Sequence, residues 1–251
     1  MRNSTIYLCV LSAAAMLTGC GGGSSTKPNL TGNWDGFAHS QVSSGTNAEF
    51  AGSLSSSNGQ VNGIIHILSS SCFPSADNIS VSGTVDGSGK VLLTTAADAG
   101  QVVSITGTAT SSSITGTYKI SGGCGSGDSG NITVTSYPNI SGTYAGTFTS
   151  TSGAGSITVS SQISQNTQPA ADGTYVLTGS ATLSGSSCGS GGQFDSSSSL
   201  VLGDNVIIVF TNGTDTITFA GQVDAAGKKV TGIYTDQGAC SDSGSGTVSR
   251  P

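Results

Sequence analysis

Polar and apolar residues alternate along most of the chain after its N-terminal segment. Between residues 113 and 121, Ile114, Tyr118 and Ile120 fall on one face of an extended backbone, and threonine and lysine side chains fall on the other. Alternation with a period of two is typical of half-buried β-strands. No later stretch has the period of a helix, so the pattern predicts an all-β protein.

The same pattern predicts eight strands in each half of the chain, joined mostly by short turns. Asn58-Gly59, Asp86-Gly87, Asp172-Gly173 and Asn212-Gly213 lie between these runs and are typical of tight hairpins. A meander of eight antiparallel strands can close into a barrel and leave no exposed edge. The predicted strands start near Leu30, Ala48, Gln60, Ile79, Lys90, Gln101, Ser113 and Asn131, and then near Ile140, Ser156, Thr174, Gln193, Asn205, Asp215, Lys229 and Gly246.

Two motifs occur twice, which indicates an internal duplication. Residues 114–118 (ITGTY) correspond to residues 230–234 (VTGIY) at a shift of 116, and residues 30–34 (LTGNW) correspond to residues 140–144 (ISGTY) at a shift of 110. The difference indicates a six-residue insertion within the second copy. We therefore predict a tandem repeat of two small antiparallel meander β-barrels, with domains at 30–136 and 137–251.

The spacing of the cysteines supports the duplication. Cys72 and Cys124 are 52 residues apart, and so are Cys188 and Cys240. Equal spacing indicates equivalent positions in two copies, so of the three pairings that four cysteines allow we predict one disulfide per repeat, Cys72–Cys124 and Cys188–Cys240. Such bonds form in an oxidising compartment. No Cys-x-x-Cys pair or nearby histidine indicates a metal site, and we expect no metal and no cofactor.

The first twenty residues have the features of an export signal. Arg2 precedes an apolar run from Ile6 to Leu17, which is too short to span a bilayer. The run ends in Leu17-Thr18-Gly19-Cys20, which resembles the bacterial lipobox. That resemblance implies a signal peptide at 1–20, a diacylated Cys20 as the new N-terminus, a flexible tether at 21–29 and, because Gly21 follows, an outer-membrane lipoprotein facing the periplasm or the cell surface.

Composition narrows the classes of function. Charged residues make up only 8% of the chain and the formal net charge is −6, so a basic surface for nucleic acid is not expected. Two histidines and few carboxylates argue against most enzymes, and we predict a non-enzymatic protein. The 39 glycines and many serines raise the alternative of disorder, but the alternation and the repeated cysteines favour folded strands.

A second alternative is a pair of immunoglobulin-like β-sandwiches. Residues 172–175 (DGTY) resemble the turn before the last core strands of that family. The family, however, places its tryptophan between its two cysteines, whereas Trp34 precedes Cys72. The sandwich therefore stays an alternative to the barrel.

Short motifs resemble the lipocalin and avidin-like families of eight-stranded barrels. Gly32-Asn33-Trp34 is similar to the Gly-x-Trp of their opening strand, and residues 115–118 (TGTY) are similar to a ligand-binding strand of avidin-like proteins. The resemblance implies a barrel that encloses a small ligand, with Trp34 as a packing plug at one end. It does not extend to biotin, because the chain has one tryptophan and the TGTY strand is seventh instead of second.

Two sites have residue types suited to catalysis. Residues 127–130 (GDSG) resemble the nucleophile loop of trypsin-like proteases, but neither His39 nor His66 has that family's context, and we align the loop with residues 243–246 (SGSG), which lack the aspartate. Asp35 and His39 share a strand face and could form an acid–base or metal pair. The simpler interpretation is that both side chains lie on the solvated exterior of the barrel and have no catalytic role.

The large rings on the predicted inner faces define the candidate ligand site. Trp34, Tyr118, Tyr144 and Tyr234 either fill the barrels or line a pocket for a small hydrophobic or amphipathic ligand. The alternative function is a structural or adhesion-type surface protein of the cell envelope with filled domains. The expected partners are the membrane, through the lipid on Cys20, and a small apolar ligand; the sequence identifies no protein partner.

Overall fold

The computed structural model describes residues 26–42, 47–70, 72–73, 78–152, 155–186, 189–213, 215–239 and 241–251. The described chain consists of β-strands, turns and loops, as the alternation predicts. It contains no helix long and apolar enough to cross a membrane. The predicted signal peptide, the lipidation site Cys20 and the cysteines of the second repeat, Cys188 and Cys240, lie outside the described residues.

The first repeat folds into a closed barrel of eight antiparallel strands in sequential order. The ring closes because β1 pairs with β2 on one side and with β8 on the other. The β1–β8 pairing runs from Asn33 opposite Tyr137 to Ser40 opposite Gly130. Closure rules out the sandwich alternative for this repeat. The strands are β1 (Gly32–Ser40), β2 (Ala48–Ser57), β3 (Gln60–Ser69), β4 (Ile79–Val85), β5 (Lys90–Thr95), β6 (Val102–Ala109), β7 (Ser113–Ser121) and β8 (Ser129–Tyr137).

The second repeat is also a closed antiparallel barrel, and its fourth position is split. The short strands β12 and β13 both pair with β11, and pairing of β9 with β17 and of β10 with β11 completes the ring. The strands are β9 (Gly142–Ser150), β10 (Ser156–Gln165), β11 (Tyr175–Ser184), β12 (Gly191–Gln193), β13 (Leu200–Leu202), β14 (Asn205–Asn212), β15 (Asp215–Val223), β16 (Lys229–Gln237) and β17 (Asp242–Ser249).

The observed strands begin close to the predicted positions, with two differences. The last strand begins at Asp242 and not near Gly246, and the single strand predicted near Gln193 is divided into β12 and β13. Asn58 and Gly59 have φ of 54° and 83°, the left-handed conformation of a two-residue hairpin. The turn at Asp86 is longer, because its positive φ falls on Gly89.

Alternating burial puts one apolar cluster inside each barrel. Trp34 and Tyr144 occupy equivalent places, because each pairs with the central region of the following strand, at Gly52 and Ser161. The indole N–H of Trp34 donates to the carbonyl of Leu30 at 2.8 Å. The Tyr144 hydroxyl donates to the carbonyl of Gly227 at 2.9 Å. Both rings therefore close one end of their barrel, which we call the plugged end.

The insertion of the second copy lies in the β10–β11 connection. The first barrel makes the corresponding turn with Asn58 and Gly59, whereas the second uses residues 166–174. This longer loop reaches the outer surface of β3, where the carbonyl of Asp172 lies 2.6 Å from Nε2 of His66. The insertion thus forms part of the interface between the barrels.

A second contact joins the β13–β14 turn to the outer surface of β1. The side-chain amide of Asn33 donates to the carbonyl of Gly203, and its carbonyl oxygen accepts from the Gly203 amide, both at 2.7 Å. Asn33 is buried, with 3% of its surface exposed. The backbone of one barrel is therefore held by a side chain of the other through two buried hydrogen bonds.

Residues before the first strand also contact the barrel. The ammonium of Lys27 donates to the carbonyl of Asn58 at 2.8 Å, and the side-chain carbonyl of Asn29 accepts from Ser56. Lys27 and Asn29, which lie within the segment predicted as a tether at 21–29, therefore contact the β2–β3 hairpin of the first barrel.

Candidate functional site

The predicted disulfide Cys72–Cys124 is confirmed, and it lies at the end of the first barrel opposite Trp34. It joins the connection after β3 to the loop between β7 and β8. The buried side chain of Gln101 reinforces this link, because its amide donates to the carbonyl of Cys72 and its oxygen accepts from the amide of Gly125, both at 2.7 Å. We call this end of the barrel the mouth.

Between its strands and the loops of the mouth the first barrel holds a cavity of about 190 Å³. Its wall is mainly aliphatic and aromatic, and both disulfide cysteines contribute to it. A cavity of 150 Å³ is large enough to bind benzene, although drug-sized ligands need about 300 Å³ or more. The lining residues that face the barrel interior from the strands include Ala38, Ala48, Phe50, Ile65, Ile67, Thr95, Val103, Ile105, Tyr118, Ile120 and Ile132.

A hydrogen-bonded group of three side chains stands where the cavity meets the mouth. Asp128 accepts a hydrogen bond from the Ser40 hydroxyl at 2.6 Å and one from the Tyr118 hydroxyl at 3.2 Å. Tyr118 is buried, with 3% of its surface exposed. Burial and the nearby Asp128 charge raise the pKa of Tyr118, so the phenol stays protonated and acts as the donor.

The second barrel contains the same group. The hydroxyls of Tyr234 and Ser150 donate to Asp242 at 2.6 and 2.7 Å. Burial and the hydrogen bond to Asp242 raise the pKa of Tyr234 to about 12. Burial acts to raise the pKa of Asp242, but hydrogen bonds from Tyr234, Ser150 and Ser152 lower it to about 2. Each barrel therefore holds an aspartate side chain between the hydroxyl groups of a tyrosine and a serine.

This correspondence corrects the sequence alignment of the GDSG loop. Tyr118 pairs with Gly130 and Tyr234 pairs with Gly244, so Asp128 corresponds to Asp242 and the second copy keeps its aspartate. Sequence comparison missed it because the tyrosine-to-aspartate spacing is two residues shorter in the second copy. The shared Asp-Ser-Gly at 128–130 and 242–244 was the signal that could have revealed it.

The interior of the second barrel is almost filled. Its corresponding cavity measures about 60 Å³. Phe148 lies at the centre of an aromatic cluster, with its ring 5.4 Å from that of Phe219 and 5.7 Å from that of Tyr234, both in edge-to-face geometry. Such pairs add to the stabilisation that burial itself provides.

Residue size differs between the two barrels at equivalent wall positions. Strand register aligns Ala38 with Phe148, Ala48 with Ile157, Thr95 with Phe210 and Ile105 with Phe219, and every one of these residues lines the cavity of its barrel. Four positions differ in the opposite direction, because the first barrel has Phe50, Ile65, Ile120 and Ile132 where the second has Val159, Ala181, Asp236 and Gly246. The wall of the first barrel is therefore smaller at some positions and larger at others, and Ala38, Ala48 and Thr95 line its free space.

The structure divides the four predicted cavity residues into two classes. Tyr118 and Tyr234 line the cavities just described, next to their aspartates. Trp34 borders only a smaller space of about 30 Å³ nearer the plugged end, and Tyr144 is fully buried and lines none of the three cavities. Their hydrogen bonds to backbone carbonyls are those of packing residues.

Asp35 and His39 are not arranged as an acid–base pair. Asp35 faces the second barrel, and its Oδ2 is buried without a hydrogen-bond partner. Burial, together with the charges of Asp204 and Glu49, raises the pKa of Asp35 to about 7. The expected solvated exterior is therefore wrong for Asp35, although His39 is exposed. Within the described ranges no group of three or more His, Cys, Asp or Glu side chains is placed to hold a metal ion.

No protein-family model matches the chain, and no curated protein matches it either. The resemblance to lipocalin and avidin-like barrels therefore stays a prediction from short motifs.

Proposed function

We propose that this protein is an exported, lipid-anchored bacterial envelope protein that binds a small hydrophobic or amphipathic molecule in its first barrel without transforming it. The observation that carries the proposal is the cavity of about 190 Å³ in the first barrel, next to one of about 60 Å³ in the second. Apolar walls with a few polar groups at one end are typical of small-molecule sites.

The size of the cavity limits the ligand. It suits a single ring or a short branched chain, because benzene fits in 150 Å³. A longer chain would have to extend through the mouth, between the loops that Cys72–Cys124 and Gln101 hold together. Those crosslinks favour a preformed opening, which reduces the ordering that binding requires.

Titration with benzyl alcohol, followed in a spectrum of isotope-labelled isoleucine methyl groups, tests the proposal. Isoleucines line both cavities, among them Ile65, Ile105 and Ile120 in the first barrel and Ile157 and Ile217 in the second. We expect saturable shifts in the first set alone. If no resonance saturates, or only the second set responds, the proposed site is wrong.

Variants that fill the cavity provide the matched control. The double variant Ala38→Leu, Ala48→Ile adds carbon atoms to two wall positions and should abolish the shifts. Ala145→Leu makes a similar change at an exposed position of β9 and should leave them unchanged. Circular dichroism confirms that each variant is folded.

The anchoring proposal rests on the lipobox-like segment and is supported by the disulfide Cys72–Cys124, which belongs to an oxidising compartment. Mass spectrometry of the mature N-terminal peptide should find acyl chains on Cys20. Cys20→Ser should release the protein from the membrane fraction. A processed but unacylated N-terminus would contradict the anchor and leave the barrel site unaffected.

A structural or adhesion-type role in the envelope is the second candidate, and the filled interior of the second barrel favours it. With about 60 Å³ free, that barrel has little room for a ligand. If the protein has this structural role, no small apolar probe should show saturable binding to the first barrel.

A further inference from the structure

We propose that the first barrel selects a small amphipathic amine, with its apolar body in the cavity and its cationic nitrogen at Asp128. This inference rests on the proposed ligand binding and adds the chemical class of the ligand. Three properties of the mouth support it: the sign of the charge there, the unused hydrogen-bond capacity of Asp128, and the contrast with the second barrel.

The charge of the cavity is negative and uncompensated by its own wall. Asp128 is the one charged side chain among the described residues that line it, and no lysine, arginine or histidine is among them. A carboxylate beside an apolar space attracts a cation more strongly than a carboxylate in bulk water does, because the local dielectric is lower. An anionic ligand would meet repulsion at the same place.

Asp128 also has acceptor capacity to spare. An ionised carboxylate offers about four lone-pair sites, and the Asp128 side chain accepts hydrogen bonds from Ser40 and Tyr118 alone among the described residues. An ammonium group carries three donors. Ser40 and Tyr118 hold the carboxylate in place and leave acceptor positions for the ligand.

The second barrel shows what a saturated version of this group is like. Asp242 accepts from Tyr234, Ser150, Ser152 and the backbone amide of Ser243. The residue of the first barrel that corresponds to Ser152 is Val42, which has no donor and lines the cavity. In the first barrel the apolar Val42 therefore takes the place of a hydrogen-bond donor to the aspartate. We expect this arrangement of a binding site, because it leaves the carboxylate free to accept a hydrogen bond from a ligand.

Three probes of one size and different charge test the inference on the intact, oxidised chain. Benzylamine, benzyl alcohol and benzoate share a ring and differ in the group that would lie at Asp128. We expect benzylamine to bind at least about tenfold more tightly than benzyl alcohol, because a hydrogen bond to a charged group is the stronger kind. Benzoate should bind most weakly.

Asp128→Asn should reduce benzylamine affinity about tenfold, to that of benzyl alcohol, and leave benzyl alcohol binding unchanged. Asp98→Asn is the matched control, since it removes the same charge from the same barrel at a position that does not line the cavity. It should not change the preference. If Asp128→Asn does not fold, the variant Val42→Ser tests the inference instead. A serine at position 42 corresponds to Ser152, which donates a hydrogen bond to the aspartate of the second barrel, so it should weaken benzylamine binding severalfold.

The outcomes separate the two proposals. Binding of benzyl alcohol with no preference for benzylamine, or a preference that survives removal of Asp128, overturns the amine inference and leaves the apolar site intact. Failure of all three probes to saturate overturns the proposed function itself, and the amine inference with it.

Discussion

The mouth halves of the two barrels share the pairing of the first, seventh and eighth strands and the same hydrogen-bonded Tyr–Asp–Ser group, but they have different fillings. Phe148, Phe210 and Phe219 pack the second barrel, whereas Ala38, Thr95 and Ile105 stand at the corresponding positions of the first. The comparison teaches that the polar group does not require a cavity, since it persists where the interior is filled. What differs, and so indicates function, is the space beside it.

The two barrels also bury their polar groups differently. At the position of Ile120 in the first barrel the second has Asp236, which is 4% exposed and whose Oδ1 has no hydrogen-bond partner. Burial and the charges of Asp215 and Asp242 raise the pKa of Asp236. The second barrel therefore combines tight aromatic packing with a buried carboxyl oxygen that has no hydrogen-bond partner, and the first combines a larger cavity with a crosslinked mouth.

The largest expected effect comes from removing the crosslink. Replacing both Cys72 and Cys124 by serine frees a loop with a sequence separation of 52 residues, and the chain-entropy model assigns such a loop about 4 kcal/mol. Calorimetry should show the first barrel unfolding at a lower temperature while the second is unchanged. If both transitions move together, the barrels unfold as one unit.

A somewhat smaller effect is expected from opening the second barrel. Phe148→Ala places in it the residue that the first barrel has at position 38, and it should cost about 3 kcal/mol of unfolding free energy, at the lower end for such truncations. The isoleucine methyl groups of the second barrel should then respond to benzyl alcohol. A stable variant that binds no probe would show that cavity volume alone does not explain the comparison.

The smallest effect concerns the joint between the barrels. Asp35 has a pKa of about 7 in the folded protein and an ordinary value near 4 when unfolded. Between these values the folded protein keeps a proton that the unfolded chain releases, so the free energy of unfolding falls as the pH rises from about 4 to about 7. Above that range the ionised carboxylate remains buried beside Asp204 and Glu49.

Asp35→Asn should remove this slope and stabilise the protein at pH 8 by about 1–2 kcal/mol, allowing for partial exposure of the group. Denaturant unfolding at pH 5 and pH 8 measures the slope. Asp98→Asn serves as the control for loss of one negative charge. Parallel pH profiles for the wild type and Asp35→Asn would contradict the buried position of this carboxyl.

Much of the architecture could be predicted from local pattern. Alternation located nearly every strand, and the equal spacing of cysteines identified the Cys72–Cys124 bond. The six-residue difference between the motif shifts correctly indicated an insertion in the second copy. The candidate site was only half predicted: Tyr118 and Tyr234 lie at the cavities, whereas Trp34 and Tyr144 pack the plugged ends.

The order of residues alone predicts which side chains face inward, because a β-strand alternates its faces whatever its partners are. It also determined the duplication, which is a property of order along the chain. The folded protein alone shows that Asp128 corresponds to Asp242, that the insertion contacts His66, and that Asp35 is half-buried against the second barrel. Pairing register and the approach of two barrels bring distant residues together. Free volume likewise depends on the sum of many side chains around a closed ring, and no local pattern records that sum.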